Sequence, residues 1–500
     1  MPKIKGKRIV LTSDVTMMSS YHGGVMLGFA AIMPRRALPD FVFHKFFCPP
    51  VPAAPDGSAE TAPCGMRKVE AALLEAGFSR DEVMVAHPQH LDQAIGPDTR
   101  IVGITHDDPM GKIAVREIED IIGRGPPFNR SKFLELLTHP LIRQFRPKVV
   151  LGGNGAWEAM GEDVGVDHIY LGEGESDFPD ICSKIISGED VPPVIRGRTV
   201  AGDAIPVNRG GTIGGIVEIG RGCWRGCAFC SPTNRAMRHR PIENIVKDVQ
   251  VNLDNGERDI ILHCEDFFSY GYSNAKPNEK SIKKLVSAVK ELQPKTIDVS
   301  HLSLASVHQN PRLLHSVSQI VGIGSSQNHM SAWIGIETGS CRILKMHMPN
   351  KARPAETDNW PEIVRDCYRL FADESWLPVA SLVLGLPGEE AEDVVKTTEL
   401  VDSLMDYTGL MLPLFFTTIA DTKLGGRKGF SREDALPEHW QLVGLCLEYN
   451  LRHLKKLHRL YRERMTAGTG VHTALKGINL MADLVLNKYM KRMKRGEPPN

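Results

Sequence analysis

The chain has 500 residues, of which 42% are apolar and 24% are charged, and these fractions are typical of a soluble globular protein. Its 60 basic and 60 acidic residues cancel, so the composition gives no support for binding nucleic acid through an overall positive charge. No run of about 18 apolar residues occurs, and we therefore predict no membrane-spanning helix.

The N-terminal part of the chain alternates short apolar runs with helix-like stretches. Each of the five runs has Gly, Asp, His or Glu at or near its end. The runs are RIVLTSDV (8–15), EVMVAHP (82–88), RIVGITH (100–106), KVVLGG (148–153) and DHIYLGEGE (167–175). Apolar strands separated by helices predict an α/β fold whose parallel sheet is covered on both faces. We predict a Rossmann-like domain over residues 1–195, with its ligand at the carboxyl ends of the strands.

A second alternation of strands and helices begins near residue 212. Residues 190–211 contain VPP, RGR and RGG and are predicted to be a linker. The strand candidates that follow are GGIVEIGRG, DIILHCEDF, TIDVSHLSLAS, SAWIGIETGS, PVASLVLGLPGE and TGLMLPLFFTTIA. Six β/α units predict a partial (β/α) barrel over residues 210–430, with its chemistry at the carboxyl ends of the strands.

The last part of the chain is helical and basic in pattern. Apolar residues recur at roughly helical spacing within 446–465 and are Leu447, Leu451, Leu454, Leu457 and Tyr461. We predict a small C-terminal helical domain over residues 431–500, whose apolar stripe packs on the barrel.

Three of the ten cysteines lie in the stretch RGCWRGCAFC, at Cys223, Cys227 and Cys230. Three thiolates can bind three irons of a [4Fe–4S] cluster and leave the fourth iron with an open position, which a catalytic metal centre needs. The irregular spacing of all ten cysteines favours a reducing cytoplasm over a disulfide framework.

Glycines and arginines flank these cysteines. Gly222 and Gly226 would let the backbone approach a cluster closely. The arginines that could offset its negative charge are Arg221, Arg225 and Arg235. The alternatives are three structural cysteines or a zinc site with His239 as the fourth ligand. An electron-carrying cluster would usually have a fourth cysteine nearby, and none follows until Cys264.

The spacing C-x3-C-x2-C, with the aromatic Phe229 directly before the last cysteine, resembles the signature of the radical S-adenosylmethionine superfamily. Further stretches resemble motifs of that superfamily in the same order, namely LHCEDFF (262–268), SHLSLASVHQNPRLL (300–314), WIGIETGS (333–340) and SLVLGLPGE (381–389). The resemblance covers roughly residues 212–410. It implies a [4Fe–4S] cluster held by the three cysteines and S-adenosylmethionine as a second cofactor.

The resemblance also implies which residues contact S-adenosylmethionine. Glu265 would bind the amino group of its methionine part, with Asp266 beside it, and Glu337 would contact the ribose or the methionine part. Thr338 replaces the serine that is usual after that glutamate. The candidate S-adenosylmethionine-binding residues are Phe229, Glu265, Asp266, Ser303, Glu337, Leu384 and Gly385.

The stretches KVVLGGNGAW and VDHIYLGEGESDFPDI resemble the last two strands of cobalamin-binding domains that are fused to radical S-adenosylmethionine domains. This resemblance implies cobalamin as a third cofactor, with loop backbone lying against the corrin ring. The candidate cobalamin-binding residues are Asp14, His106, Gly152, Gly153, Asn154, Gly155, Gly172, Glu173 and Gly174. The Asp-x-His-x-x-G motif that supplies a histidine to cobalt is absent, so no axial histidine from that motif is expected.

Together these resemblances imply a cobalamin-dependent radical S-adenosylmethionine methyltransferase, which transfers a methyl group from methylcobalamin to an unactivated sp3 carbon. Among such enzymes the chain most resembles the archaeal glutamine C-methyltransferase of methyl-coenzyme M reductase. The implied partners are therefore a protein or peptide substrate, in the narrowest case the alpha subunit of that reductase, and an external electron donor. No membrane and no nucleic acid is expected as a partner.

Other functions are also compatible with these patterns. One is a cobalamin-dependent radical enzyme of cofactor or natural-product biosynthesis that does not methylate, and another is a non-enzymatic iron–sulfur or zinc-binding interaction protein. A methylthiotransferase acting on transfer RNA fits less well, because its N-terminal domain should carry three further cysteines. Only Cys48, Cys64 and Cys182 precede the cluster motif, and they lack that arrangement.

Overall fold

The computed structural model describes residues 5–112, 125–272, 277–462, 477 and 486–499. The chain divides into two compact units. The first takes the described residues up to Val217 together with Glu243–Arg258, and the second takes Glu218–Ile242 and the described residues from Asp259 onward. No helix in the described ranges combines the length and apolar character needed to cross a bilayer.

The first unit is built on a six-stranded parallel sheet. Its strands are β1 (Ile9–Thr12), β2 (Val83–Val85), β3 (Ile101–Thr105), β4 (Lys148–Gly152), β5 (His168–Leu171) and β6 (Val194–Arg196). They lie in the order β2-β1-β3-β4-β5-β6. The chain therefore changes direction between β1 and β3, which is the switch point where doubly wound sheets commonly bind ligands.

All five strands predicted in this part of the chain are present, and the α/β fold is confirmed. Apolar side chains alternate between two cores, with Val10 and Val102 in one and Ile9 and Ile101 in the other. Because both faces of the sheet are buried, its strands are near-continuous apolar runs. The linker predicted over 190–211 is wrong at Val194–Arg196, where β6 extends the sheet. Only the middle residue of this edge strand is buried, so it lacks the apolar run of the others.

Helices cover the first unit's sheet. They are α1 (Cys64–Glu75), α2 (Phe128–Leu137), α3 (Pro140–Phe145), α4 (Phe178–Ser187) and α5 (Ile242–Asp254), with shorter helical segments at Asp40–Val42, Phe43–Phe47 and Leu91–Ala94.

Helix α5 begins at Ile242, which is 25 residues after Val217. From Glu243 onward it nevertheless belongs to the first unit. Lys68 of α1 and Asp248 of α5 are fully buried, and their Nζ and Oδ2 atoms lie 2.6 Å apart. The other carboxylate oxygen of Asp248 accepts a hydrogen bond from the backbone of Asn208 at 2.7 Å. Side chains that sequence reasoning did not single out therefore fix this helix to α1.

The second unit contains the predicted partial barrel. Its strands are β7 (Ile216–Glu218), which crosses the unit boundary, β8 (Asp259–His263), β9 (Thr296–Val299), β10 (Met330–Glu337), β11 (Trp376–Leu384) and β12 (Leu410–Phe415). They form two three-stranded sheets, β9-β8-β7 and β10-β11-β12. A parallel bridge between His301 and Trp333 joins the end of β9 to β10, so the six strands follow one another in chain order.

The helices of the second unit are α6 (Glu279–Glu291), α7 (Leu304–Gln309), α8 (Pro311–Val321), α9 (Cys341–His347), α10 (Trp360–Asp373), α11 (Ala391–Asp402) and α12 (Pro437–Arg462). Asn450 of α12 donates to the carbonyl oxygen of Met411 in β12 at 2.8 Å and accepts from its N–H at 2.8 Å. Helix α12 therefore packs on the barrel, and residues 463–465 of the predicted helix lie outside the described residues.

Candidate functional site

The three cysteines lie on the loop that follows β7. A short antiparallel ladder between Gly220–Arg221 and Arg238–His239 closes the base of this loop. Gly222 adopts a left-handed conformation with φ of +83°, and a Cβ atom there would lie 2.6 Å from the carbonyl oxygens of Arg235 and Ala236. Only glycine fits this position, so the tight turn into the cysteine loop depends on it.

The cysteine thiols are largely enclosed by protein. Burial raises the pKa of Cys223 to about 11 and of Cys230 to about 12, and it also raises the pKa of Cys227, where Lys351 acts in the opposite direction. The thiols are therefore protonated, and iron must displace those protons to bind. Among the described residues no three His, Cys, Asp or Glu side chains converge on one metal position. A [4Fe–4S] cluster differs from such a site because each thiolate binds its own iron.

Arg225, between the first two cysteines, fastens the loop to the rest of the second unit. Its Nη1 atom donates to three backbone carbonyl oxygens within 350–353, at 3.0 to 3.4 Å. Its Nη2 atom donates to Ser306 Oγ at 2.8 Å and lies 3.4 Å from Asp266 Oδ2. The guanidinium carbon is 4.8 Å from the centre of the Trp224 ring. These contacts hold the loop in place through the protein itself.

The two acidic residues after β8 differ in their surroundings. Asp266 accepts hydrogen bonds from the backbone of Ser303 (3.1 Å) and from the hydroxyls of Ser306 (2.7 Å) and Ser269 (2.8 Å). Glu265 has a buried Oε2 atom that has no hydrogen-bond partner within the described residues. Burial raises the pKa of Glu265 to about 7. Glu265 is therefore the acid with capacity for a ligand, whereas Asp266 organises the protein.

His239, the candidate fourth ligand of a zinc site, lies near the cysteine loop. It lines a small cavity together with Cys223 and Glu265. Its ring packs edge-on against Tyr270, with centroids 5.3 Å apart, and burial lowers the pKa of the imidazole. The described cysteines and His239 nevertheless do not converge on one metal position, so the zinc alternative gains no support.

Glu337, at the end of β10, is held by two residues that the sequence patterns did not indicate. It adopts a left-handed conformation with φ of +64°, which is uncommon for a residue other than glycine and is frequent at functional sites. Its Oε1 accepts from Lys351 Nζ at 3.0 Å, and its Oε2 accepts from Ser381 Oγ at 3.0 Å. Lys351 belongs to no motif, and Ser381 only begins the glycine-rich one.

The remaining candidates for S-adenosylmethionine are less open. Leu384 is buried, and Phe229 is half-buried on the cysteine loop. The N–H of Gly385 donates to Glu389, and a Cβ atom at Gly385 would fall 1.9 Å from Cγ of Phe430. The Phe430 ring therefore lies against Gly385, one of the candidate S-adenosylmethionine-binding residues.

The first unit's switch point is occupied by a buried pair of side chains. Asp14 follows β1 and His106 follows β3, and His106 Nε2 lies 2.8 Å from Asp14 Oδ2 with both side chains 1% exposed. The Nδ1 atom of His106 accepts a hydrogen bond from the backbone of Asp108 at 2.9 Å, so the proton of the neutral ring is on Nε2. Neither nitrogen has a lone pair for cobalt, and His106 does not fit the role of a cobalt ligand.

The glycine turns after β4 and β5 lie at neighbouring strand ends. The exposed candidates are Gly153, Asn154 and Gly172, and Gly152 and Gly174 are half-buried. Exposed small residues at two adjacent strand ends form a surface on which a flat macrocycle could lie, so these residues fit a corrin ring.

Two other candidates in these turns have internal roles. Gly155 is buried, and a Cβ atom there would lie 2.3 Å from the carbonyl oxygen of Asp107. Glu173 is buried, and its Oε2 accepts a hydrogen bond from the backbone of Val200 at 2.9 Å. These residues shape the turns and are not positioned to contact a ligand directly.

No protein-family model matches the chain. By sequence it is similar to the ribosomal protein uS12 methylthiotransferase RimO of Thermotoga petrophila, with 26% identity over 191 residues, which are 38% of this chain and 41% of that protein. It is also similar to the tRNA-2-methylthio-N(6)-dimethylallyladenosine synthase of Bacillus subtilis, with 24% identity over 266 residues, or 52% of this chain and 49% of that protein. The chain thus matches about two fifths to one half of these relatives.

Two solved structures extend the similarity to most of the chain. Both are of the radical S-adenosylmethionine methyltransferase TsrM from Kitasatospora setae. The structure with bound cobalamin and [4Fe–4S] cluster has a TM-score of 0.53 and 17% identity, and covers 84% of this chain and 77% of that one. The chain has the fold of TsrM. The TsrM structure with tryptophan and the S-adenosylmethionine analogue aza-SAM gives the same TM-score, with 16% identity and 84% of this chain covered.

Proposed function

We propose that this protein is a cobalamin-dependent radical S-adenosylmethionine methyltransferase. The observation that carries the proposal is the combination, in one chain, of a doubly wound parallel sheet and a six-stranded partial barrel whose first strand leads into three cysteines. The fold similarity to TsrM over 84% of the chain includes both parts. The proposed cofactors are a [4Fe–4S] cluster, S-adenosylmethionine and cobalamin.

The second unit would hold the first two cofactors. Cys223, Cys227 and Cys230 would bind the cluster, and the unpartnered oxygen of Glu265 could receive the amino group of S-adenosylmethionine. Glu337 is preorganised by Lys351, so its carboxylate keeps its orientation before a ligand arrives. When bound, the cluster supplies the electron that cleaves S-adenosylmethionine into a carbon-centred radical, and the protein orients the reactants and excludes water.

The first unit would hold cobalamin on the exposed turns at Gly153, Asn154 and Gly172. Cobalamin supplies the methyl group in such enzymes, because a carbon radical needs a methyl donor that can release it homolytically. His106 is committed to Asp14 and Asp108 through its two ring nitrogens. We therefore propose that the chain binds cobalamin without an imidazole ligand from His106.

The narrower form of the proposal concerns the substrate. We propose an sp3 carbon of a protein residue as the acceptor, and the glutamine of methyl-coenzyme M reductase as its most specific form. The overall resemblance of the sequence supports this choice, and an external electron donor would be required.

The first experiment is anaerobic purification with cobalamin, followed by reconstitution with iron and sulfide and incubation with S-adenosylmethionine and a strong reductant. We expect a corrin absorbance spectrum, and 5′-deoxyadenosine that is absent from a Cys227→Ala variant. Candidate protein substrates are then screened for the mass of one added methylene. Protein that holds a cluster but yields neither corrin nor 5′-deoxyadenosine contradicts the proposal. Deoxyadenosine with an unmethylated, rearranged product favours a non-methylating radical enzyme.

A methylthiotransferase is the second candidate, because the curated relatives by sequence carry that activity in their names. The cysteines that precede the cluster motif argue against a second cluster in the first unit. Only Cys48, Cys64 and Cys182 lie there, and they lack the arrangement of three cluster-binding cysteines that a methylthiotransferase should carry in its N-terminal domain. An iron content near four per chain, as opposed to about eight, separates the two candidates.

A further inference from the structure

The strands of the second unit have one face that helices cover and one that stays accessible. Along β8, Ile260 and Leu262 are buried, whereas Ile261 and His263 are half-buried. All four residues of the next strand, β9, are buried, but the alternation recurs along β10 and over parts of β11 and β12. The half-buried residues there are Ser331 and Trp333 in β10, Ser381 and Val383 in β11, and Leu410 and Leu412 in β12. Side chains of one parity share a face, so these residues line the interior face of the partial barrel.

His301, directly after β9, is fixed at the edge of this interior face. Its carbonyl oxygen accepts a hydrogen bond from the N–H of Phe267 at 3.0 Å, and its bridge to Trp333 positions the backbone on the other side. The imidazole centroid lies 5.9 Å from that of His263 and 6.4 Å from that of Trp333. The residue is exposed, so a ligand can reach the ring between its protein neighbours.

The hydrogen bonds of Ser300 define which nitrogen of His301 carries the proton. The Ser300 hydroxyl donates to the carbonyl oxygen of Cys264 at 3.1 Å and accepts from the N–H of Cys264 at 3.2 Å. A hydroxyl has one hydrogen, so His301 Nδ1, 3.1 Å from Ser300 Oγ, is the donor in that contact. The lone pair of the neutral ring is then on Nε2, which has no hydrogen-bond partner in the described part of the chain.

The ring is neutral at physiological pH. The protein atoms around the accessible ring partly desolvate it, and this desolvation, together with the neighbouring His263, lowers the pKa of His301 to about 4. The acidic groups near this face are also committed to protein partners. Asp298 accepts from the backbone of Ser331 at 2.8 Å, and Glu337 is paired with Lys351 at 3.0 Å. Asp259, on the same side of β8 as Ile261 and His263, likewise accepts a hydrogen bond from Thr296 Oγ1 at 2.6 Å. Among the described residues, the acidic side chains near the interior face therefore have protein partners already, and the face offers hydrogen-bond acceptors and apolar area.

We propose that His301 is a substrate-recognition residue whose Nε2 atom accepts a hydrogen bond from an uncharged N–H group, such as a carboxamide, bound on the interior face of the barrel. The inference rests on the proposed function for the identity of this face as a substrate site. A carboxylate or a phosphate is rejected there, because it would be desolvated opposite a lone pair with no charge to compensate it.

The test uses acetamide as the probe, with acetate and methyl phosphate as charged comparisons. The reconstituted full-length protein carries isotope-labelled histidine, and the His301 signal is assigned from its loss in His301→Gln. We expect acetamide to shift the His301 signal saturably and to bind about tenfold more tightly than acetate, as one additional hydrogen bond allows. His301→Leu should lose that preference, and His301→Gln should keep part of it because its amide oxygen still accepts.

The matched control is His308→Leu. His308 is on α7, near in sequence, but its Nε2 faces Asp366 at 3.4 Å on the surface of the unit. This variant should bind acetamide as the unaltered protein does. The inference is overturned if acetate or methyl phosphate shifts His301 as strongly as acetamide, if acetamide gives no saturable shift, or if His301→Leu binds it unchanged. If His301→Leu does not fold, the inference is decided by two other results. These are the preference of the unaltered protein for acetamide over acetate, and the reduction of that preference in His301→Gln.

The same samples separate this inference from the proposed function. Formation of 5′-deoxyadenosine without added amide depends on the cluster and S-adenosylmethionine, and not on His301. A protein that forms it and yet responds equally to acetamide and acetate contradicts only the recognition role. A protein that prefers acetamide but forms no 5′-deoxyadenosine contradicts the proposed function and leaves the binding preference standing.

Discussion

The ammonium of Lys68 lies 2.6 Å from the carboxylate of Asp248, and neither side chain is exposed to solvent. The pair joins α1 to α5 within the first unit, across 180 residues of sequence. Each charge is stable in this interior only because the other is present.

Replacing Lys68 by methionine should therefore destabilise the first unit by about 3–5 kcal/mol, because Asp248 is left buried and unpaired. Denaturant unfolding measures the change. The double variant Lys68→Met/Asp248→Leu should regain most of the lost free energy of unfolding, because neither replacement side chain carries a charge. Arg8→Met, which breaks an exposed pair with Glu82, is the control and should cost about 1 kcal/mol or less. Equal effects of the two single variants would contradict the assignment.

Arg225 should be needed for cluster assembly, because both terminal nitrogens of its guanidinium group hold the cysteine loop in place. We expect Arg225→Met to weaken cluster retention about tenfold or more, as residues that orient metal ligands commonly do. Arg225→Lys should rescue little, since an ammonium cannot reach the same set of acceptors. The iron content and the midpoint potential of both variants after reconstitution measure how well each retains the cluster.

Arg235→Met is the matched control for this prediction. Arg235 lies on the same loop, so its replacement removes the same charge without removing the contacts to 350–353 and Ser306. If Arg235→Met loses as much iron as Arg225→Met, charge alone explains the requirement, and the fastening role of Arg225 is wrong.

Neighbouring acids Glu265 and Asp266 should respond differently to substitution. Glu265→Gln should weaken binding of S-adenosylmethionine about tenfold, through loss of a charge-assisted hydrogen bond, without lowering the melting temperature. Asp266→Asn should lower stability by about 1–3 kcal/mol, because it disturbs a buried network of four donors. Calorimetric titration and thermal unfolding of both variants give the answer, and a reversal of the two patterns would show that the roles are exchanged.

Glu158 should make the stability of the first unit depend on pH. It is fully buried in the turn after β4, and burial together with Asp108 raises its pKa to about 8. A raised pKa means that the folded state holds the proton more tightly, so the stabilisation is complete below the ordinary pKa near 4.5 and is lost as the pH rises through about 8. The slope cannot exceed about 1.4 kcal/mol per pH unit for one group.

Glu158→Gln should flatten this dependence, which melting temperatures between about pH 5 and 8 would measure. Glu162→Gln, at a partly exposed residue paired with Lys112, should leave the slope unchanged. A slope that persists in Glu158→Gln would assign the pH dependence to another group.

The strand pattern was predictable because the strands of the sheet and of the barrel are mostly short apolar runs that end in polar or glycine turns. The positions of the cysteines and of Glu265 directly after strands were predictable for a similar reason, and their roles as ligands stay predictions. The apolar stripe of α12 was predictable only in part. Of the predicted stripe, Leu457 is buried and the other four residues are half-buried. The buried residues also include Cys446, Tyr449 and His453, and His453 Nε2 lies 3.0 Å from the carbonyl oxygen of Met405.

Residues that act through distant partners left no local signal. Lys351 contacts Glu337 only because the chain reverses direction through α9, which lies between them. Lys68 appears in the sequence as an ordinary helix-surface lysine, and its burial is decided by a partner far along the chain. Arg225 was visible as a charge near the cysteines, but its hydrogen bonds to backbone carbonyls depend on a segment that no spacing rule connects to it.

The placement of α5 limits how this protein can be divided or recombined. A fragment that stops after Val217 would contain every strand of the first sheet and still lack Asp248, the buried partner of Lys68. A hybrid that joined this sheet to another protein's barrel would need to bring Glu243–Arg258 along with it. The two units therefore alternate along the chain and are poor candidates for exchange as separate continuous segments.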